Sequence, residues 1–111
     1  MKIKDHTVRT MFLPEMWYDL WSLDTLWRAE MGHELTITSG RDSKHTAIHS
    51  GHYIGTAVDI RTWVDETSGH QMSGALRDKM FQEVRLLLGR NWKVRNEANH
   101  FHLRYRPVYG G

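Results

Sequence analysis

The hydrophobic residues that follow Pro14 recur three or four positions apart, the spacing that places side chains on one face of an α-helix. Proline is tolerated at the first helical position because its missing amide proton would have no partner there, and glycine suits the residue after the last turn. The pattern therefore predicts a helix that begins at Pro14 and is closed by Gly32. We interpret its apolar stripe as core packing and not as a sugar-stacking platform. The stripe consists of Met16, Leu20, Leu23 and Trp27, widened by Trp17 and Trp21.

A second helical pattern begins near Ser73 and ends at Gly89. An amphipathic helix of this kind packs its apolar side against the rest of a domain. The predicted apolar face consists of Leu76, Met80, Val84 and Leu87. The polar residues of the segment are predicted to face solvent without a function of their own, and they are Arg77, Asp78, Lys79, Gln82, Glu83 and Arg85.

Alternation of apolar and polar residues predicts strands elsewhere in the chain. The predicted strands are residues 35–38, 57–61, 92–95 and 100–106. Val58 and Ile60 face one side of their strand, so Asp59 faces the other. In the last strand His100 and His102 likewise share the polar side. These elements predict an α+β fold, in which a small antiparallel sheet packs against two main helices.

The composition of the chain argues against several classes of function, including nucleic-acid binding and membrane association. The chain has 111 residues, enough for a single domain over residues 1–111, and a formal net charge of +2 that is too small to indicate a nucleic-acid partner. No apolar run is long enough for a membrane span or a signal peptide, so we expect no membrane association and synthesis in a cytoplasm. We expect a monomer by default. The absence of cysteine leaves nitrogen and oxygen donors for any metal site.

Candidate metal ligands are concentrated in two segments, residues 50–59 (S-G-H-Y-I-G-T-A-V-D) and residues 97–102 (E-A-N-H-F-H). A catalytic zinc ion usually takes three protein ligands from His, Asp, Glu and Cys and leaves one position for water. The first segment offers His52 and Asp59, and the second offers two histidines on one side of a strand. Together they predict a mononuclear zinc site.

The pattern S-x-H-x-x-G-x-A-x-D, followed by H-x-H or E-x-x-H near the C-terminus, resembles that of a superfamily of zinc peptidases. Its members cleave peptides of bacterial cell walls and include D-Ala-D-Ala carboxypeptidases, vancomycin-resistance dipeptidases, murein endopeptidases and phage L-alanyl-D-glutamate endolysins. The Hedgehog signalling domain shares their fold. The resemblance covers residues 35–106 of this chain. The fixed positions of the first motif are filled by Ser50, His52, Gly55, Ala57 and Asp59.

The resemblance implies a zinc site in which His52 and Asp59 are two of the ligands, with two assignments for the third. If the chain follows the dipeptidases and endolysins, Glu97 is the general base and His100 is the ligand. If it follows the murein endopeptidases, whose ending is closer to H-F-H-L-R-Y-R-P, His102 is the ligand and His100 lies beside the attacking water. We favour the second assignment, although those endopeptidases more often have a histidine in place of Glu97. Glu97 and His100 thus both stay candidates for the base.

The same resemblance implies substrate contacts. The segment T-S-G-R, which ends at Arg41, resembles a family segment in which an arginine helps to bind the substrate carboxylate. A guanidinium group suits that role because it can pair with a carboxylate through two parallel hydrogen bonds. Ser50 is expected to orient the substrate-binding loop or a ligand and not to act as a nucleophile, and His45 is a further candidate contact.

The implied function is zinc-dependent hydrolysis of an amide bond in peptidoglycan peptides, as in a small phage or prophage endolysin. Such an enzyme is made in the host cytoplasm and acts on the cell wall after release or as a virion component. The alternative is a catalytically inactive zinc-binding interaction domain of the Hedgehog kind. Nucleic-acid binding is not expected, because Arg61, Arg104 and Arg106 are too few to outline a phosphate track.

Overall fold

The computed structural model describes residues 1–8, 10, 12–40 and 57–106. This part of the chain forms two helices, a short 3-10 turn and a five-stranded, mostly antiparallel sheet, which confirms the predicted α+β class. The helices are α1 (Pro14–Met31) and α2 (Gly74–Leu88), and the 3-10 turn is Gly89–Asn91. The strands are β1 (Lys2–Ile3), β2 (Thr36–Gly40), β3 (Ala57–Arg61), β4 (Trp92–Asn96) and β5 (His100–Tyr105).

The sheet has the strand order β1-β2-β3-β5-β4, so β3 and β5 are neighbours and β4 lies at one edge. The pairs β2–β3, β3–β5 and β4–β5 are antiparallel. β1, which the alternation pattern did not predict, pairs with β2 in parallel. β2 continues to Gly40, beyond the predicted end of the strand at residue 38.

Both helices cover one face of the sheet. Phe101 of β5 is fully buried there, with its ring centroid 6.4 Å from that of Trp27 in α1 and 5.5 Å from that of Phe81 in α2. Successive side chains of a strand point to opposite faces, so the residues on either side of Phe101 face away from the helices. We call this opposite side the polar face. Its described strand residues include Asp59, Arg61, Lys93, Arg95, His100, His102 and Arg104.

The first helix has the predicted bounds, and most of the residues predicted to be buried on it are buried. α1 begins at Pro14, and Gly32 follows the last turn in the left-handed conformation (φ 78°), which glycine adopts without steric cost. The four residues of the predicted stripe are buried. Trp21 is 53% exposed, so the prediction that it widens the core was wrong. Its side chain is therefore largely in contact with solvent.

The second helix is also confirmed, but its buried row differs from the prediction. The buried residues of α2 are four positions apart and are Met80, Val84 and Leu88. Leu76 and Leu87, which were predicted to be buried, are each 39% exposed. Neither helix in the described ranges is long and apolar enough to cross a membrane.

A buried aspartate that the sequence pattern did not identify fastens α1 to the residue before β2. Asp24 is 4% exposed and accepts hydrogen bonds of 2.9 Å from the Leu35 amide and from Arg28 Nε. Burial alone would raise the pKa of this carboxyl, but the hydrogen bonds from Arg28, from the Leu35 amide and from the N-terminal ammonium group outweigh burial and hold the pKa below its usual range. The ionised carboxylate therefore stabilises the fold above its unfolded-state pKa, and this contribution is lost as the pH falls through the folded-state pKa.

Candidate metal centre

The pairing of β3 with β5 brings polar residues of the two strands together. Asp59 lies directly opposite His102, and Arg61 lies directly opposite His100. All four belong to the polar face. A slip of one residue would move the buried Phe101 to the polar face and the histidines into the core, so the apolar packing determines the register.

Asp59, His100 and His102 form a compact group, called here the Asp-His-His group, in which one candidate ligand atom of each residue lies within 4.8 Å of the others. Asp59 Oδ1 is 2.6 Å from His102 Nδ1 and 3.6 Å from His100 Nε2. The side chains are 25% to 28% exposed, so they are partly shielded from water and still reachable by a ligand. One carboxylate and two imidazoles form a donor set that suits zinc and other divalent transition metals.

A metal ion fits the Asp-His-His group after a small adjustment. Two ligand atoms bound at about 2.1 Å to a tetrahedral ion lie about 3.4 Å apart. The 3.6 Å separation between Asp59 and His100 is close to that value. The 2.6 Å contact between Asp59 and His102 is a hydrogen bond, in which the imidazole N–H donates to the carboxylate. Coordination through both of these atoms requires loss of that proton and a further separation of about 0.8 Å.

His100 is oriented by its neighbour in the β4–β5 turn. His100 Nδ1 lies 2.6 Å from Asn99 Oδ1, and because an amide oxygen only accepts hydrogen bonds, Nδ1 carries the proton. In the neutral imidazole, Nε2 then presents a lone pair toward Asp59. A lone pair and a carboxylate oxygen repel each other unless a cation or a proton lies between them. This orientation places Nε2 where it could share a cation with Asp59.

Glu97, one of the two predicted bases, lies in the same turn with its carboxylate bound to Arg95. Glu97 Oε1 accepts hydrogen bonds from Arg95 Nε at 3.0 Å and from Arg95 Nη2 at 2.7 Å. These hydrogen bonds and the charge of the guanidinium hold the pKa of Glu97 below its usual range. Glu97 is therefore ionised at neutral pH, and action as a base requires its carboxylate to exchange Arg95 for water.

Arg77 of α2 was predicted to be a solvent-facing charge, and this prediction was wrong. Arg77 Nη1 donates to the carbonyl oxygen of Met72 at 3.1 Å and to Thr62 Oγ1 at 3.2 Å. Arg77 Nε donates to Asn96 Oδ1 at 2.8 Å, and Nη2 donates to the carbonyl oxygen of Glu97. Helical periodicity cannot reveal these acceptors, because they all lie outside α2. Arg77 thus fastens the β4–β5 turn that carries the candidate bases.

Replacement of Arg77 by methionine is expected to lower the free energy of unfolding by about 2 kcal/mol, because several partly buried acceptors lose their donor. Arg85→Met makes the same substitution at an exposed position of α2 and should change the free energy by less than about 0.5 kcal/mol. Urea denaturation of the metal-free proteins measures both effects. Equal effects of the two substitutions would show that Arg77 does not fasten the turn.

The structure brings together three of the predicted site residues, Asp59, His100 and His102, and places Glu97 in the adjoining turn. The other predicted site residues lie outside the described residues, and they are Arg41, His45, Ser50 and His52. Their roles stay predictions, including that of His52 as a ligand.

Comparison of the chain with protein-family models, with curated proteins and with solved structures found no match.

Proposed function

We propose that this protein is a zinc-dependent peptidase that hydrolyses an amide bond in bacterial peptidoglycan peptides. The observation that carries the proposal is the convergence of Asp59, His100 and His102 on the polar face, although Asp59 and His102 are 43 residues apart in the chain. The resemblance of residues 50–59 to the motif of the cell-wall zinc peptidases supports the same reaction.

In this proposal His52, Asp59 and His102 hold the ion. A bound zinc ion supplies a water molecule that ionises at about pH 7 and an electrophile that polarises the substrate carbonyl. Asp59 contributes the negative charge that attracts a divalent cation. His102 is held opposite Asp59 by the strand register, so the two donors need no large rearrangement to share one ion.

His100 is proposed as the group that takes the proton of the attacking water and passes it to the leaving amine. Its proton is held on Nδ1 by Asn99, which leaves Nε2 able to accept, and Nε2 lies 3.6 Å from Asp59 Oδ1. Glu97 is the second candidate for this role. Its pairing with Arg95 lowers its basicity, which favours His100.

The proposed substrate is a D-Ala-containing or L-Ala-D-Glu peptide of the wall. Arg41 is proposed to bind a carboxylate of this peptide, with Ser50 orienting the loop or a ligand. The proposed setting is a monomeric phage or prophage enzyme that is made in the host cytoplasm. It would act on the wall after release or as a virion component.

A catalytically inactive zinc-binding interaction domain is the second candidate function. The observation that favours it is the ion pair between Arg95 and Glu97, because it engages the only acidic candidate base with a cation and not with water. Such a domain would bind zinc and leave peptidoglycan intact.

Digestion of purified peptidoglycan by the zinc-loaded protein tests the proposal. We expect release of peptides whose masses identify one type of cleaved amide bond, loss of release after chelation, and recovery when zinc is returned. The control is the chelated protein supplied with magnesium, which prefers octahedral oxygen ligands and should not restore release. Stoichiometric zinc without release from any wall type would favour the interaction domain. Absence of zinc binding would reject both functions.

A further inference from the structure

A cationic groove adjoins the Asp-His-His group along β4 and β5. Its volume is about 410 Å³, which lies within the range of small-ligand sites. The described residues that line it include no carboxylate and are Lys93, Arg95, His102, Arg104 and Arg106. Because His102 belongs both to this lining and to the Asp-His-His group, the groove borders the candidate metal centre.

The strand register arranges the cations of the groove in facing pairs. Arg95 lies opposite His102, and Lys93 lies opposite Arg104. Successive side chains on one face of a strand are about 7 Å apart, so the pair of Lys93 and Arg104 lies one such step from His102. Arg95 already binds Glu97, whereas Lys93 is an exposed residue of the edge strand. Lys93 is therefore the cation of the groove best placed to receive an anion, and Arg104 lies directly opposite it.

We propose that this groove is a subsite for a carboxylate of the substrate, which makes the preferred substrate an acidic peptide. The inference rests on the proposed hydrolysis at the Asp-His-His group. A carboxylate between Lys93 and Arg104 receives charge-assisted hydrogen bonds from an ammonium group and a guanidinium group on facing strands. An extended peptide advances about 3.5 Å per residue, so the bound carboxylate belongs to a residue about two positions from the amide bond at the group.

The groove suits one small anion better than a polyanion. A nucleic-acid site gains its affinity from a long track of cations, on the order of 6 to 10 phosphate contacts. Here the cations lie on one two-stranded ribbon at the edge of the sheet. Glu97 beside Arg95 and Asp59 beside His102 would also repel phosphates that continued past the groove.

Three versions of one synthetic wall peptide test the subsite: the free acid, the peptide amidated at its D-glutamate, and the peptide amidated at its C-terminus. NMR titration of the metal-free protein measures the affinities, so the readout does not depend on hydrolysis. We expect one of the two amidations to weaken binding about tenfold, because it removes a charge-assisted pair. The amide signals that shift should be concentrated on β4 and β5.

Substitutions of single cations locate the effect. Lys93→Gln is expected to bind the free acid about tenfold more weakly and to lose the discrimination between acid and amide. Lys93→Arg keeps the charge and should keep the discrimination. The matched control is Lys4→Gln, which removes an exposed cation that follows β1, at the opposite edge of the sheet, and should behave as the parent.

Discrimination that is absent in the parent, or that survives in Lys93→Gln, would overturn the subsite. Steeply salt-dependent binding of single-stranded DNA that is lost in Lys93→Gln would also overturn it, because the groove would then serve a nucleic acid. Discrimination that is present while the zinc-loaded protein releases no product from peptidoglycan supports the subsite and rejects only the proposed reaction.

Discussion

Replacement of Asp59 by alanine is expected to weaken zinc binding more than about 100-fold, since the loss of a mere outer-sphere partner of a metal ligand costs about 10- to 100-fold. Asp59 supplies the carboxylate of the Asp-His-His group, and the contacts of both histidines within the group go to its Oδ1, at 2.6 Å and 3.6 Å. Without Asp59, the remaining imidazoles offer no negative charge to a divalent cation. Hydrolysis of peptidoglycan should fall below detection in the same variant.

Calorimetric titration measures the zinc affinity, and thermal unfolding with and without zinc measures the linked stabilisation. At a free zinc concentration of 100 times the Kd of the parent, the free energy of unfolding of the parent should rise by about 2.7 kcal/mol. That of Asp59→Ala should hardly change at the same zinc concentration. Asp78→Ala is the matched control, because it removes an exposed carboxylate of α2 and should keep the full response to zinc. Unchanged zinc affinity in Asp59→Ala would contradict the assignment of this group as the metal site.

Separate replacement of the two histidines is expected to show that His102 is needed for zinc binding, whereas His100 is needed only for hydrolysis. His102→Gln should lose about 100-fold or more in zinc affinity, and hydrolysis with it, because His102 is the proposed ligand opposite Asp59. His100→Gln should keep its zinc affinity within about tenfold, while kcat falls about 100- to 10,000-fold, as expected when a general base is lost. Zinc titration and single-turnover digestion of a defined wall peptide measure the two effects.

Glu97→Gln distinguishes the two candidate bases. Glu97 lies in the turn just before His100, and glutamine preserves the shape of its side chain while removing the charge. Loss of turnover in Glu97→Gln, with turnover retained in His100→Gln, would assign the base to Glu97. Loss of zinc in His100→Gln but not in His102→Gln would make His100 the third ligand. Either result would replace the assignment favoured by the murein endopeptidase resemblance.

The hydrophobic pattern of the sequence predicted most of the helices and strands, because the spacing of apolar residues reflects the local period of each element. The period of an α-helix located α1 from Pro14, and the two-residue period of a strand located β3 at the observed residues. The same pattern missed β1, whose two residues are too short to show a period. It also misjudged Trp21 and Leu87, because the width of a buried stripe depends on what packs against the helix.

The sequence by itself determined which residues could share a face. Strand parity placed Asp59 on one polar side and His100 and His102 on another, since successive side chains alternate within any strand. Only the tertiary structure decided that these sides belong to one face and that Asp59 lies opposite His102, because the register between strands remote in the chain is set by core packing.

The hydrogen bonds around the site were likewise decided by the tertiary structure. Arg77 carries no local pattern that distinguishes it from a solvent-facing charge. It meets its partners because α2 packs beside the end of β4 and the turn that follows, which brings its guanidinium within reach of acceptors that helical periodicity does not predict. A single sequence thus specifies the side chains available to the site, and packing between distant segments specifies which of them meet.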